Sequence, residues 1–252
     1  MRKNRHFYSN QAGCDTTNIG VDLNRNYGYM FAYDNKGSHG EEDVCADDYR
    51  GPSPFSEPET MAMRDFVATW TNIRLAINFH AYGNLYITPF NFDNNLNINL
   101  MTQFAAASDF YKHVIMSGTL PAGNLQGNGA QTILYTANGE ASDYMLANNG
   151  IFSVSHELGT SDHRTNTFFI KESDVLLDLV KQNYKWILFT ITQLFPSVKI
   201  TPIAQKFQVS SITNNFNLTN AGMGHIKSET IKMTVNMSAY DQVSVQINGK
   251  LI

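Results

Sequence analysis

Two short apolar runs, each ending in a reactive group, organise the pattern of the chain. Leu75-Ala-Ile-Asn-Phe79 leads directly into His80, and Ile151-Phe-Ser-Val-Ser155 into His156 and Glu157. Neither run has helical spacing, and turn-like residues flank both, which predicts strands buried on both faces of a sheet. His80 and Glu157 then stand at C-terminal strand ends, the edge of an open α/β sheet where ligands collect. Taken alone, His80 reads as a core histidine bonded to a neighbour. Glu157 in the parallel position turns the reading toward a site.

The spacing elsewhere predicts helices and shorter strands. Ser56-Glu-Pro-Glu59 offers a capping serine, a first-turn proline and a glutamate completing a capping box, and Met63, Phe66, Val67 and Trp70 follow as a stripe facing the sheet. Asn84 to Phe90 reads as a strand. A long helix runs through Leu100, Phe104, Ala107, Tyr111, Val114 and Ile115 until Gly118 and Pro121 stop it. Gly123 to Gly129 reads as a flexible loop, a candidate lid. A short helix covers Ala141 to Asn148 and ends at Gly150. A long one, Lys171 to Leu194, turns Leu176, Leu179, Val180, Tyr184, Ile187, Leu188 and Ile191 inward.

At Phe195-Pro196 helical spacing gives way to alternation. Ile231, Met233, Val235 and Met237 form one set and Val243, Val245 and Ile247 another, with Asn248-Gly249 at a hairpin-turn position. Residues 1–195 therefore read as an α/β domain and 196–252 as a β-rich extension that is cut short.

Composition narrows the function. A net charge of -4 leaves no basic footprint for nucleic acid. No apolar stretch approaches the length of a membrane span, so no membrane partner is expected. Met1-Arg-Lys-Asn-Arg-His6 is basic but no apolar run follows it, so it is not a signal peptide. Either the protein stays inside the cell or the chain lacks its true beginning. Cys14 and Cys45, the only cysteines, flank the Gly20 to Tyr29 stretch and read either as a disulfide, implying an oxidising compartment, or as two free thiols. The sequons Asn217-Leu-Thr219 and Asn236-Met-Ser238 lean toward the first.

The candidate chemistry is concentrated in polar segments. Gly20-Val-Asp-Leu-Asn-Arg-Asn-Tyr27 sets Asp22, Asn24 and Arg25 together; Arg25 offers a planar fork matched to a carboxylate, with Asn24 as an added amide donor. A salt-bridged turn is the structural alternative. His39-Gly-Glu-Glu42 matches His-x-x-Glu literally, but no strand feeds it and it reads as solvated loop.

Arg2-Lys-Asn-Arg5, Gly20-Val-Asp-Leu-Asn-Arg-Asn26, Tyr49-Arg-Gly-Pro52, Ser56-Glu-Pro-Glu-Thr60, Phe79-His-Ala-Tyr82, Tyr135 and Glu157-Leu158 form an ordered set. It resembles the zinc carboxypeptidases of the carboxypeptidase A and B kind, from Arg2 to about Leu194. The resemblance implies a mixed, mostly parallel sheet with helices on both faces, and a monomeric, secreted or lysosomal-type metallocarboxypeptidase acting on peptide or protein C-termini.

It also implies roles for single residues. Glu157 would be the general base acting on zinc-bound water and Arg2 the stabiliser of the oxyanion. Asn24 and Arg25 would grip the substrate carboxylate, and Tyr135 would close over it. His80 would be the third ligand of one Zn2+ in chain order, with Asp22 orienting a ligand histidine. Ser142, seven residues after Tyr135, would lie at the bottom of the pocket for the last side chain; being small and uncharged it points to neutral terminal residues, although Glu140 could supply a charge from the wall.

The other two zinc ligands belong to a His-x-x-Glu motif upstream of the arginine that Arg2 resembles. Their absence marks the domain as N-terminally incomplete and predicts exposed apolar sheet surface. A catalytically inactive truncated relative, acting as a peptide C-terminus binding or structural protein, is the alternative.

Overall fold

The computed structural model describes residues 2–93, 105–118, 120–159, 168–195, 198–202, 216–220, 231–235, 243–247 and 250–251. Its sheet is built around β4 (Phe152–Leu158), which pairs in parallel with β1 (Leu75–Ala81) on one side and antiparallel with β2 (Leu85–Ile87) on the other. β2 pairs in parallel with β3 (Leu125–Gly127), so the order is β1-β4-β2-β3 and two of the three pairings are parallel. β4 is the buried strand: Phe152 to His156 are all shielded from solvent.

The helices are α1 (Pro58–Thr69), α2 (Ala105–Met116), α3 (Gly129–Thr132), α4 (Ala141–Asn149) and α5 (Ser173–Thr192). α4 ends as expected, because Gly150 adopts φ 64° and its N–H bonds back to Leu146 O, a left-handed cap that residues with a Cβ adopt at a cost. α1, α4, β1 and the preceding loops share an apolar cluster of Tyr27, Val67, Ala141, Tyr144, Met145 and Ile151. α2 packs Phe110 flat on Phe152 at 4.6 Å. Tyr111 completes β4 beyond the end of β2: its hydroxyl donates to Ser153 O and accepts from Ser153 N–H. α5 contributes Trp186, fully buried between His156 and Tyr86.

Several expectations fail for a common reason, the tertiary partner. β1 is an edge strand, so it is only half-buried and Phe79 is exposed. On α1 only Thr60 and Val67 face inward; Met63, Phe66 and Trp70 are exposed, and apolar surface is open along this side of the sheet. Ser56 does not cap α1. Glu57 is the N-cap position, and the Ser56 hydroxyl donates to Glu57 Oε1. On α5 the buried stripe is Val175, Leu179, Asn183, Trp186 and Thr190, so of the expected inward set Leu176, Val180, Tyr184, Leu188 and Ile191 lie exposed. Gly123 to Gly129 is not a free loop: Leu125–Gly127 forms β3, and Asn128 caps α3 by accepting from Gln131 N–H. Leu100 and Phe104 lie outside the described residues.

Cys14 and Cys45 form a disulfide. The chain divides into two compact units, residues 1–191 and 192–252. The described residues of the second include two small antiparallel sheets. Val198–Pro202 (β5) pairs with Phe216–Asn220 (β6), and Ile231–Val235 (β7), Val243–Ile247 (β8) and Lys250–Leu251 (β9) form a meander. The alternating sets match in register, Ile231 opposite Ile247, Met233 opposite Val245 and Val235 opposite Val243. Met237 and Asn248-Gly249 lie outside the described residues.

Candidate functional site

A cavity of about 550 Å³ opens at the C-terminal ends of β1 and β4. Its lining brings together Arg2, Asn24, Arg25, His80, Tyr135 and Glu157, which come from five separate stretches of the chain. His80 and Glu157 are register partners across β1 and β4, so they project from the same face of the sheet.

Asp22 organises the entrance. Its carboxylate accepts from Asn24 N–H at 3.1 Å, capping the single 3-10 turn Leu23–Arg25, and pairs with Arg2 Nη2 at 2.8 Å. Arg2 is further held by its Nε–H donating to Asp47 O. Asn24, on the cavity lining, accepts from Ala141 N–H at the start of α4 through Oδ1, which assigns its other amide atom as the NH2 donor. Gly139, at φ 65°, passes so close to Arg25 O that a Cβ there would collide with it. The backbone of the Arg25 turn is thereby pressed against the loop leading into α4.

Arg25 is 5% exposed, yet among the described residues no carboxylate lies within 4.0 Å of its guanidinium. Nη1 donates to Asn24 O, and Nε–H is buried with no acceptor among the described residues. A buried guanidinium short of acceptors is costly unless an anion completes it.

Glu157 shows the complementary imbalance. Burial first, and then the charge of Glu140, raise its pKa, against the opposing pull of His80, Arg2 and Arg25. Its Oε2 is buried and has no hydrogen-bond partner among the described residues. A carboxylate so placed is poised to take and hold a proton. Tyr135, on the turn after α3, is half-exposed at the cavity wall.

Ser142 departs from its expected place. It is fully buried behind Glu140, to which its hydroxyl donates at 2.8 Å, and it is not on the cavity lining. Glu140 lines the cavity instead, together with Asn91 and Ser155. Asn91 ties the inner wall together: its N–H and side chain bond Asp143, its Nδ2 also donates to Glu140, its Oδ1 accepts from Gly129 N–H and its O from Ala137 N–H. Sequence reading missed Asn91 and Asp143. Their partners lie some fifty residues apart, and no local spacing marks them.

The zinc carboxypeptidase profile matches residues 1–185. The chain belongs to the zinc carboxypeptidase family. It is 36% identical over 94 residues to a metallocarboxypeptidase A-like protein of Trichophyton verrucosum, a stretch covering 36% of this chain and 20% of that protein. To human mast cell carboxypeptidase A it is 34% identical over 99 residues, 38% of this chain and 23% of that one. The structure resembles bovine thrombin-activatable fibrinolysis inhibitor, solved in complex with tick carboxypeptidase inhibitor, with a TM-score of 0.57 at 20% identity over 75% of this chain and 60% of the bovine one. This last likeness concerns the fold. The chain therefore matches about a fifth of the length of the first two relatives.

The family's description names zinc, and a catalytic zinc takes three protein ligands. Among the described residues no three His, Cys, Asp or Glu side chains come together as a metal-binding group. His80 offers one imidazole, and these residues alone do not fit the ion. The literal His-x-x-Glu match does not help, since His39 Nδ1 is bonded to Asp48 and Glu42 to Gly40 N–H.

Proposed function

We propose that the cavity binds the free C-terminus of a peptide or protein and serves a metallocarboxypeptidase reaction, hydrolysis of the last peptide bond. The observation that carries this reading is a buried Arg25 without a carboxylate partner among the described residues, lining one cavity with Glu157 and His80.

Arg25 and Asn24 grip the terminal carboxylate, the guanidinium through paired N–H groups and the amide through one more. Tyr135 closes the cavity from its exposed turn and donates its phenolic O–H. Glu157 takes a proton from the attacking water and passes it to the leaving amine nitrogen, a task that suits a carboxyl whose pKa burial has raised. Arg2 is anchored by the Asp22 carboxylate and by Asp47 O, and its positive charge stabilises the negative charge that develops on the carbonyl oxygen. The zinc that the family's description names would supply polarisation of that carbonyl and of the water; among the described residues His80 is the imidazole that lines the cavity, and it does not by itself make up the three protein ligands such an ion takes.

A second reading is favoured by that incomplete ligand set: a peptide C-terminus binding protein without hydrolysis. The Cys14–Cys45 disulfide suits an extracellular or lysosomal-type compartment for either. Among the described residues no helix is long and apolar enough to cross a membrane.

Zinc content and mass spectrometry of a peptide incubated with the protein decide between them. The enzyme reading expects one zinc per chain and stepwise loss of terminal residues from the free acid but not from the amide. Binding of the acid without zinc and without residue loss supports the second reading. Equal binding of acid and amide contradicts both.

A further inference from the structure

The two Asn-x-Ser/Thr tripeptides, Asn217-Leu-Thr219 and Asn236-Met-Ser238, have no part in the chemistry of the cavity. Both fall within residues 192–252, the second compact unit, and residues 1–191 contain no such tripeptide although they are rich in asparagine. Asn236 lies outside the described residues. Asn217 lies within β6, whose register with β5 sorts the strand into two faces. Phe216 and Leu218 stand opposite Pro202 and Ile200, whereas Asn217 and Thr219 stand opposite Thr201 and Lys199. Successive strand residues alternate between faces, so the apolar residues hold one face and Asn217 shares the other with Thr219, Thr201 and Lys199. Among the described residues β5 and β6 form a two-stranded sheet, so β6 is an edge strand there. Such an edge presents unpaired backbone groups to any passing strand, and a bulky polar substituent on it blocks that pairing.

The Cys14–Cys45 disulfide, in the other unit, independently suits an oxidising compartment, the setting in which lipid-linked oligosaccharides are transferred to asparagine. We propose that Asn217 is an N-glycosylation site and that its glycan shields the open edge of the β5–β6 sheet. The donor is an oligosaccharide joined through its anomeric carbon to a lipid diphosphate, and a transferase of that compartment catalyses the step. The Asn217 amide nitrogen forms a bond to the anomeric carbon while the bond from that carbon to the diphosphate oxygen breaks. The lipid diphosphate leaves with the electron pair, and the amide gives up one proton. No oxidant or reductant takes part. The inference is independent of the cavity's chemistry and stands whether the chain hydrolyses peptides or only binds them.

Expression of the 252-residue chain behind a cleavable secretion leader in mammalian cells tests this. Peptide N-glycosidase in heavy-oxygen water converts a glycosylated asparagine into labelled aspartate, which peptide mass mapping locates. The expected result is label at Asn217 in most of the chain, whether recovered from the medium or from the cells. Asn217→Gln should lose one glycan increment of mass. Thr219→Ala, which leaves Asn217 in place, should lose the same increment, and Thr219→Ser should retain it. An unlabelled Asn217, including label at Asn236 alone, overturns the assignment. Sedimentation velocity reads the shielding role: Thr219→Ala should self-associate more than the glycosylated parent, and an unchanged profile overturns that role. The map of the unsubstituted chain decides the site by itself if a variant is not secreted.

Discussion

His80 and Glu157 face each other across two parallel strands, Cα partners in the register that also pairs Asn78 with Ser155. Neighbouring strands run about 4.8 Å apart, so an imidazole and a carboxyl group are held side by side by backbone hydrogen bonds rather than by mobile loops. Within that spacing the rest of the cavity, Arg2, Asn24, Arg25 and Tyr135, supplies positive charge and donors from loops.

Glu57 is the fastening of the amino-terminal loops. It is fully buried and accepts from Asn4, Tyr8 and Ser56 and contacts His6 Nδ1, joining residues 4–8 to the start of α1. Glu57→Ala leaves the half-buried donors Asn4, Tyr8 and Ser56 without their acceptor, and a loss of about 1–2 kcal/mol is expected in urea denaturation at neutral pH. Burial raises the Glu57 pKa, but the hydrogen bonds from Ser56, Asn4, Tyr8 and His6 outweigh it and hold the carboxyl below its usual value. Its contribution is therefore complete above the unfolded carboxylate range and is lost as pH falls through the folded value. The stability gap between the unsubstituted chain and Glu57→Gln should narrow below about pH 4. A gap that widens on acidification would contradict this.

His156 gives a second, separable pH dependence. It is fully buried, stacked on Trp186 and bonded to Asn183 Oδ1 through Nε2; Asn183 Nδ2 is already donating to Leu179 O, so the imidazole carries its proton on Nε2. Burial lowers its pKa from 6.5 to about 4. The unfolded chain binds a proton there that the folded chain refuses, so stability should fall as pH drops from about 6.5 to about 4, by about 1.4 kcal/mol per pH unit at the steepest. Denaturation midpoints measured across that range should show this slope in the unsubstituted chain and not in His156→Phe.

The Cys14–Cys45 disulfide closes a loop across a separation of 31 residues, around the turn that carries Arg25. The chain-entropy account assigns it about 3.5 kcal/mol. Cys14→Ser with Cys45→Ser should lower the thermal midpoint, and adding a reductant should lower that of the unsubstituted chain to match, leaving the double variant unmoved. A variant as stable as the parent would show that the bond is not a constraint on this loop.

The parts of the fold that declare themselves locally were readable. The runs ending in His80 and Glu157 marked two strands, Gly150 marked the end of α4, and the alternation in residues 231–247 marked β7 and β8. The inward face of α5 was not readable, because apolar residues surround that helix and only Trp186, by seating on His156 and Tyr86, chooses the face. β3 was hidden as well. Leu125-Gln-Gly127 is a strand only because Leu85–Ile87 pairs with it. In the cavity, Arg2, Asn24, Arg25, His80, Tyr135 and Glu157 were marked by their motifs and Glu140 by its place near Ser142, whereas the parts of Asn91 and Asp143 in the inner wall depend on contacts between distant segments.

Arg25→Ala should abolish selectivity for a free carboxylate. The buried guanidinium is replaced by a side chain with no donor, and loss of a charge-assisted pair costs about 1.5–3 kcal/mol, roughly ten- to hundredfold in affinity. Peptide acids should then bind no better than their amides, while Arg25→Lys should retain part of the preference as a point charge without the fork.

A crystal structure of the chain with a bound dipeptide acid places the ligand directly. The account predicts the terminal carboxylate on Arg25 and Asn24, with the peptide carbonyl lying between Arg2 and Glu157 and beside His80. A carboxylate bound elsewhere, with Arg25 still lacking an acceptor, would contradict it.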